Sequence, residues 1–168
     1  MEENKKILMI IGMEKQLEQT ICRAGNIQPE NALVLKSVFP DISQPYGDMM
    51  RDIITLVHRN KAEEIWIVRD KYEQTADKDI SDLLNRNKDL SDRMQTLEYL
   101  FQNCSPEFPY GSIDEWLSPS ENAAEGVQKS VAAIRQHPLI PSHVNVKGFL
   151  IENSVLTEIE TLNKNGAR

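Results

Sequence analysis

At 168 residues, 40% hydrophobic and 27% charged, the chain can bury a modest core as one globular domain, residues 1–168, without a disulfide staple. Asp and Glu outnumber Lys and Arg by 26 to 19, and a net charge of −7 would repel a phosphate backbone, which argues against nucleic acid as a partner. No stretch approaches the ~18 apolar residues of a membrane helix, and Cys22 and Cys104 form no C-x-x-C pair, so two free thiols in a cytoplasmic protein are expected.

In chain order, Lys5-Lys6 followed by Ile7-Leu8-Met9-Ile10-Ile11 has the charge-then-apolar order of a secretion signal, but the run is short and Glu14 follows at once. A buried strand from Lys6 to Ile11 is the better reading. Met13, Leu17 and Ile21 share one helical face, stopped near Gly25-Asn26, residues that readily adopt a left-handed cap. A second strand is expected from Ala32 to Val38. From Asp48 to Asn60, Met49, Met50, Ile53, Ile54 and Val57 recur at helical spacing and make one apolar stripe. Glu64 to Val68 is the third strand.

Residues 77 to 104 alternate charged and apolar positions, with Leu90, Met94, Leu97 and Phe101 at spacings of four, three and four, which predicts one or two surface helices with a break near Asn85 to Asp89. A loop rich in Pro and aromatics, Ser105 to Gly111, follows; it is too short and too apolar for a domain linker. Ser118-Pro119-Ser120-Glu121 has the pattern of a capping box with Pro at the first helical position, and Ala124, Val127, Val131 and Ile134 then face one side until Pro138 ends the helix. Val144 to Ile151 is a fourth strand and Val155 to Ile159 a short edge strand. Strand and helix in alternation predict an α/β fold with a mostly parallel β-sheet flanked by helices.

Two segments carry a family resemblance. Gln44-Pro45-Tyr46-Gly47-Asp48-Met49-Met50-Arg51-Asp52-Ile53, followed by Ala62 to Val68, resembles the β-carbonic anhydrase pattern of a Pro-aromatic-Gly helix start, Met-Arg-Ser, and a strand ending in Gly-His-x-Asp-Cys-Gly. Ile113-Asp114-x-Trp116-Leu117, Ser130 to Pro141 with its His-Pro-Leu-Ile-Pro stretch, and Val144-x-Val146-x-Gly148 are similar to that family's closing helix and strand. The resemblance covers most of the chain, least across residues 71 to 110, and implies the family's fold and a homo-oligomer, with a dimer favoured. Arg23-Ala24-Gly25-Asn26 looks like the family's Arg-Asn-Ala-Gly-Asn motif, but it precedes the second strand rather than following it, and is read as chance.

Counting without gaps from Pro45-Tyr46-Gly47 places Gly12 on the family's first cysteine ligand, Asp70 on its histidine ligand and Glu73 on its second cysteine ligand. Glu14 and Gln16 fall on the Asp and Arg of its catalytic pair. In that family, zinc held by two thiolates and one imidazole lowers the pKa of a bound water to about 7 and so supplies hydroxide. Gly12 has nothing to ligate with, and hard carboxylates at 70 and 73 suit Mg, Mn or Ca better than tetrahedral zinc.

The expectation is therefore a catalytically inactive carbonic anhydrase-like protein without a zinc cofactor and with a binding, regulatory or scaffold role. Its polar cluster would pair Glu14, Asp70 and Glu73 with Lys15, Arg69 or Lys71. The alternative is a divergent metal-dependent lyase or hydrolase whose weak carboxylate site is built from Glu14, Asp70 and Glu73. A third reading, an acidic protein-interaction module, requires an exposed apolar patch. His58, His137 and His143 lack ligand spacing, and Ser37 and Ser130 lack a motif for nucleophilic catalysis.

Overall fold

The computed structural model describes residues 4–42, 44–72, 77–104, 112–117 and 122–160. The chain divides into two compact units, residues 1–72 with 123–168, and residues 73–122.

The larger unit is built on a sheet. Its elements in chain order are β1 (Ile7–Ile11), α1 (Leu17–Ala24), a 3-10 turn (Pro29–Asn31), β2 (Ala32–Lys36), α2 (Asp48–Asn60) and β3 (Glu64–Asp70). The same unit resumes after the second one with α6 (Ala123–Arg135), β4 (Asn145–Glu152) and β5 (Val155–Ile159). The strand order is β2-β1-β3-β4-β5, parallel throughout except for the antiparallel β4–β5 pair.

Parallel strands covered on both sides must be apolar on both sides, and every residue of β1 is buried. Because side chains alternate, Leu8 and Ile10 go to one face and Ile7, Met9 and Ile11 to the other. On the first face they meet Met50, Ile53 and Val57 of α2 and Val127, Val131 and Ile134 of α6. On the second they meet Ile21 and Cys22 of α1, with Trp66 and Phe149 stacked at 4.5 Å between ring centroids. A Cβ on Gly148 would collide with Val127 and lie 3.1 Å from Val131 Cγ2, so this glycine is what lets α6 approach β4.

The β4–β5 hairpin turns at Asn153 and Ser154, both with positive φ (48° and 64°), as a two-residue turn matched to strand twist requires. Helix α1 begins later than the apolar spacing suggested: Met13 lies ahead of it and is 58% exposed, and Gln16 occupies its N-cap in the left-handed region, at φ 65°. At its other end the left-handed residue is Asn26, φ 52°, rather than Gly25.

The second unit is helical: α3 (Asp77–Asn85), α4 (Lys88–Asn103) and α5 (Ile113–Leu117). The expected break near Asn85 to Asp89 is where α3 ends and α4 begins, because Asn87 Oδ1 accepts from the backbone N–H groups of Asp89 (3.0 Å) and Leu90 (3.3 Å). Ser81 Oγ donates to Asp114 Oδ1 at 2.7 Å, and the Ile113 N–H donates to Glu98 Oε2 at 2.9 Å, tying α5 to both other helices. The capping pattern Ser118 to Glu121 and the loop Ser105 to Gly111 lie outside the described residues.

Candidate functional site

β1 and β3 are neighbouring parallel strands, with Ile10 opposite Ile67, so Gly12 and Asp70 follow onto the same carboxyl end of the sheet. This is where open α/β sheets bind ligands. Gly12 is buried at the end of β1, whereas Glu14 and Gln16 are exposed on the turn into α1. Asp70 is exposed at the end of β3, where its Oδ1 accepts from the Tyr72 N–H at 2.8 Å and closes a turn. Glu73 lies outside the described residues.

The space beside position 12 is occupied by the end of an exposed, flexible side chain. A Cβ built on Gly12 would collide with Oε2 of Glu14 and lie 3.2 Å from its Cδ, so the Glu14 carboxylate folds over the glycine. Among the described residues no three His, Cys, Asp or Glu side chains are grouped as a metal site would require. The donor chemistry does not fit a zinc centre of two thiolates and an imidazole: position 12 offers no donor, and positions 70 and 73 offer carboxylates.

Two of the cations beside the site carboxylates make ion pairs with acidic side chains elsewhere in the chain. Arg69, the residue before Asp70, donates from Nη1 to both carboxylate oxygens of Asp41, at 2.8 and 3.0 Å. Both side chains are buried, at 2% and 7% exposure, so the pair pins the loop after β2 to the end of β3. Burial pushes the Asp41 carboxyl above its ordinary value, and the Arg69 guanidinium pulls it back. Lys71 instead bonds Glu152 Oε2 at 3.0 Å, while the Tyr72 hydroxyl donates to Glu152 Oε1 at 2.5 Å. Those two bonds, Tyr72 first, hold the Glu152 carboxyl below its usual range.

Asp41 carried no motif, and sequence reasoning passed over it. The available signal was Arg69 itself, a guanidinium at the end of a strand buried on both faces, which must find an anion. The histidines are structural here: His58 Nε2 donates to the Leu139 carbonyl at 2.8 Å, and buried His137 accepts from the Leu139 N–H at 3.2 Å through Nδ1. His143 is an exposed loop residue. Ser130 is fully buried, and its Oγ accepts from the Ile42 N–H at 2.8 Å, a packing role.

No helix among the described residues is long and apolar enough to cross a membrane. No family model matches the chain. Individual proteins do. The Bacillus subtilis (strain 168) protein YbcF, provisionally named as carbonic anhydrase-like, is 40% identical over 151 residues, 90% of this chain and 83% of that one. In structure, the β-carbonic anhydrase TvaCA1 of Trichomonas vaginalis superposes with a TM-score of 0.68 at 18% identity, over 92% of this chain and 82% of that one. A tetrameric β-carbonic anhydrase of Sordaria macrospora superposes with a TM-score of 0.57 at 15% identity, over 93% and 81%. With the strand order, the flanking helices and the YbcF identity in agreement, the chain belongs to the β-carbonic anhydrase-like family.

Proposed function

We propose that this protein is a catalytically inactive member of its family, a single β-carbonic anhydrase-like domain that keeps the scaffold as a homo-oligomer, with a dimer favoured, and acts by binding or regulation. The observation that carries this reading is the state of position 12: a glycine in place of a thiolate, with the Glu14 carboxylate folded over it. Hydration of CO2 by the family's route needs a metal-bound hydroxide. A carboxylate cannot substitute for that metal by activating water to the same degree, and Gln16 cannot make the charged pair that an Asp and an Arg would. The two free thiols, Cys22 and Cys104, suit a reducing cytoplasm.

Stopped-flow CO2 hydration and metal analysis test the reading together. The protein as purified is expected to hold no stoichiometric zinc and to leave hydration at the buffer rate. A variant carrying Gly12→Cys, Glu14→Asp, Gln16→Arg, Asp70→His and Glu73→Cys is expected to take up zinc. The shorter Asp at 14 supplies the acidic member of the family's catalytic pair and draws its carboxylate back from position 12. Hydration by the unaltered protein that is lost in Asp70→Asn or Glu73→Gln would overturn the proposal.

A further inference from the structure

Within the sheet unit, a cleft of about 280 Å³ lies between the start of α2 and the turn that follows α6, and none of Gly12, Glu14, Gln16 and Asp70 lines it. Its walls are mainly apolar, formed by Tyr46, Ile54 and Leu139. Two side chains that carry N–H donors, Arg51 and His137, line the same space. The volume is just under the roughly 300–1,000 Å³ of most ligand pockets, so a ligand held here is small.

His137 shows that something polar is missing. Its imidazole is 5% exposed, and Nδ1 is used in accepting from the Leu139 N–H, so the neutral ring carries its proton on Nε2. That Nε2–H has no hydrogen-bond acceptor among the described residues; the other ring contact is with Tyr46, edge-on, with centroids 5.3 Å apart. Buried donors are nearly always satisfied, and one left open in the wall of a cleft calls for an acceptor from outside the chain. Arg51 gives the sign of that acceptor. Its guanidinium has five N–H donors, and its one acceptor among the described residues is Asp48 at 3.1 Å, in a pair exposed on both sides and therefore weak. Helix α2 adds its positive end, because its N-cap, Gly47, also lines the cleft and has no side chain to occupy the first N–H groups. A cation fits none of these groups.

We propose that this cleft binds a small monocarboxylate with an apolar body, its carboxylate accepting from the Arg51 guanidinium and from His137 Nε2–H while the body packs on Tyr46, Ile54 and Leu139. Charge-assisted hydrogen bonds fix the orientation of such a ligand, and the apolar walls supply contact area and keep water from those bonds. The inference goes beyond the proposed loss of catalysis and does not rest on the state of the former zinc site. A chain that hydrated CO2 would hold the same ligand, so the two readings fail separately.

The test titrates the full-length, chelator-treated protein with benzoate by calorimetry, with benzamide as the neutral isostere and acetate as the carboxylate without an apolar body. Benzoate should bind at least about tenfold tighter than either, since a site built for charged hydrogen bonds rejects a ligand that cannot form them and the walls reject one that cannot fill them. Arg51→Gln, at an exposed position, should remove about that factor. Nitrogen NMR of the imidazoles adds a readout that a purely structural histidine would not move: benzoate should shift Nε2 of His137 and leave His58 and His143 in place. Leu139→Glu, also at an exposed position, puts a negative charge on the wall and should abolish binding without lowering the melting temperature, which carries the test independently of Arg51. Absence of benzoate binding, equal affinity for benzoate and acetate, binding that Arg51→Gln leaves unchanged, or a His137 signal that benzoate leaves unmoved would each overturn the proposal.

Discussion

Residues 1–72 with 123–168 hold 15 acidic and 15 basic side chains, whereas residues 73–122 hold 11 and 4. Burial is distributed in the opposite sense. The sheet unit contains both core clusters and the buried charges Glu64 and Arg69, while in the helical unit only Phe101 and Ile113 are buried among the described residues. Stability and surface chemistry are thus divided between two stretches of one chain. Where much apolar area is removed from water, ions must be matched; where little is, an excess of one sign persists at small cost.

If this contrast holds, substitutions in the sheet unit should be costly and those on the helical surface nearly silent. The largest effect is expected at Asp41→Ala, which leaves the Arg69 guanidinium buried without its carboxylate and should cost about 3–5 kcal/mol in denaturant unfolding. Pairing Asp41→Leu with Arg69→Met should recover much of that loss, because two apolar side chains bury no charge. A double variant as unstable as the single would show that the pair is not the cause.

Next comes Gly148→Ala. Its Cβ would meet Val127 and Val131, and overpacking of that kind costs about 1–3 kcal/mol. A thermal melt unchanged by this substitution would mean that α6 can move off β4 freely.

Glu64 gives a smaller effect with a definite pH signature. Burial alone would lift its carboxyl, but the Trp66 indole N–H at 2.7 Å, Lys5 at 3.0 Å and Lys147 at 3.6 Å outweigh that and leave it below its ordinary value of 4.5. A carboxyl whose folded pKa is lowered contributes stability that is present above the ordinary value and lost as pH falls through the folded one. Glu64→Gln should therefore cost about 1 kcal/mol near neutral pH. The gap to the unaltered protein should close on acidification below 4.5, as followed by urea unfolding across that range. A gap that widens in acid would reverse the assigned direction.

On the helical unit, Asp82→Asn or Asp92→Asn should change stability by no more than about 0.5 kcal/mol. A loss comparable to that of Gly148→Ala would erase the distinction between the two regions.

Much of the fold was legible in local pattern. The β1 run, the α2 and α6 stripes, the break between α3 and α4 and the short β5 edge all follow from periods of 2 or 3.6 residues and from caps, which are properties of a few neighbouring residues. The start of α1 was not legible, because Met13 fits the stripe but Gln16 turns left-handed before the helix begins. Of the site, the absence of thiolate and imidazole at positions 12, 70 and 73 is a matter of side-chain identity and was plain in the sequence.

Where those side chains went was not plain. Arg69 meets Asp41 across 28 positions, through the loop that follows β2, and Lys71 meets Glu152 across 81, where β3 and β4 are neighbours. The fold of Glu14 over Gly12 likewise depends on the turn between β1 and α1. The sequence by itself determined most of the element types and the family resemblance, because each is written in identity and short-range periodicity. Only the tertiary structure decided how the charges are matched, because an ion takes the partner that the folded strands and loops bring within reach, and that partner is distant in sequence.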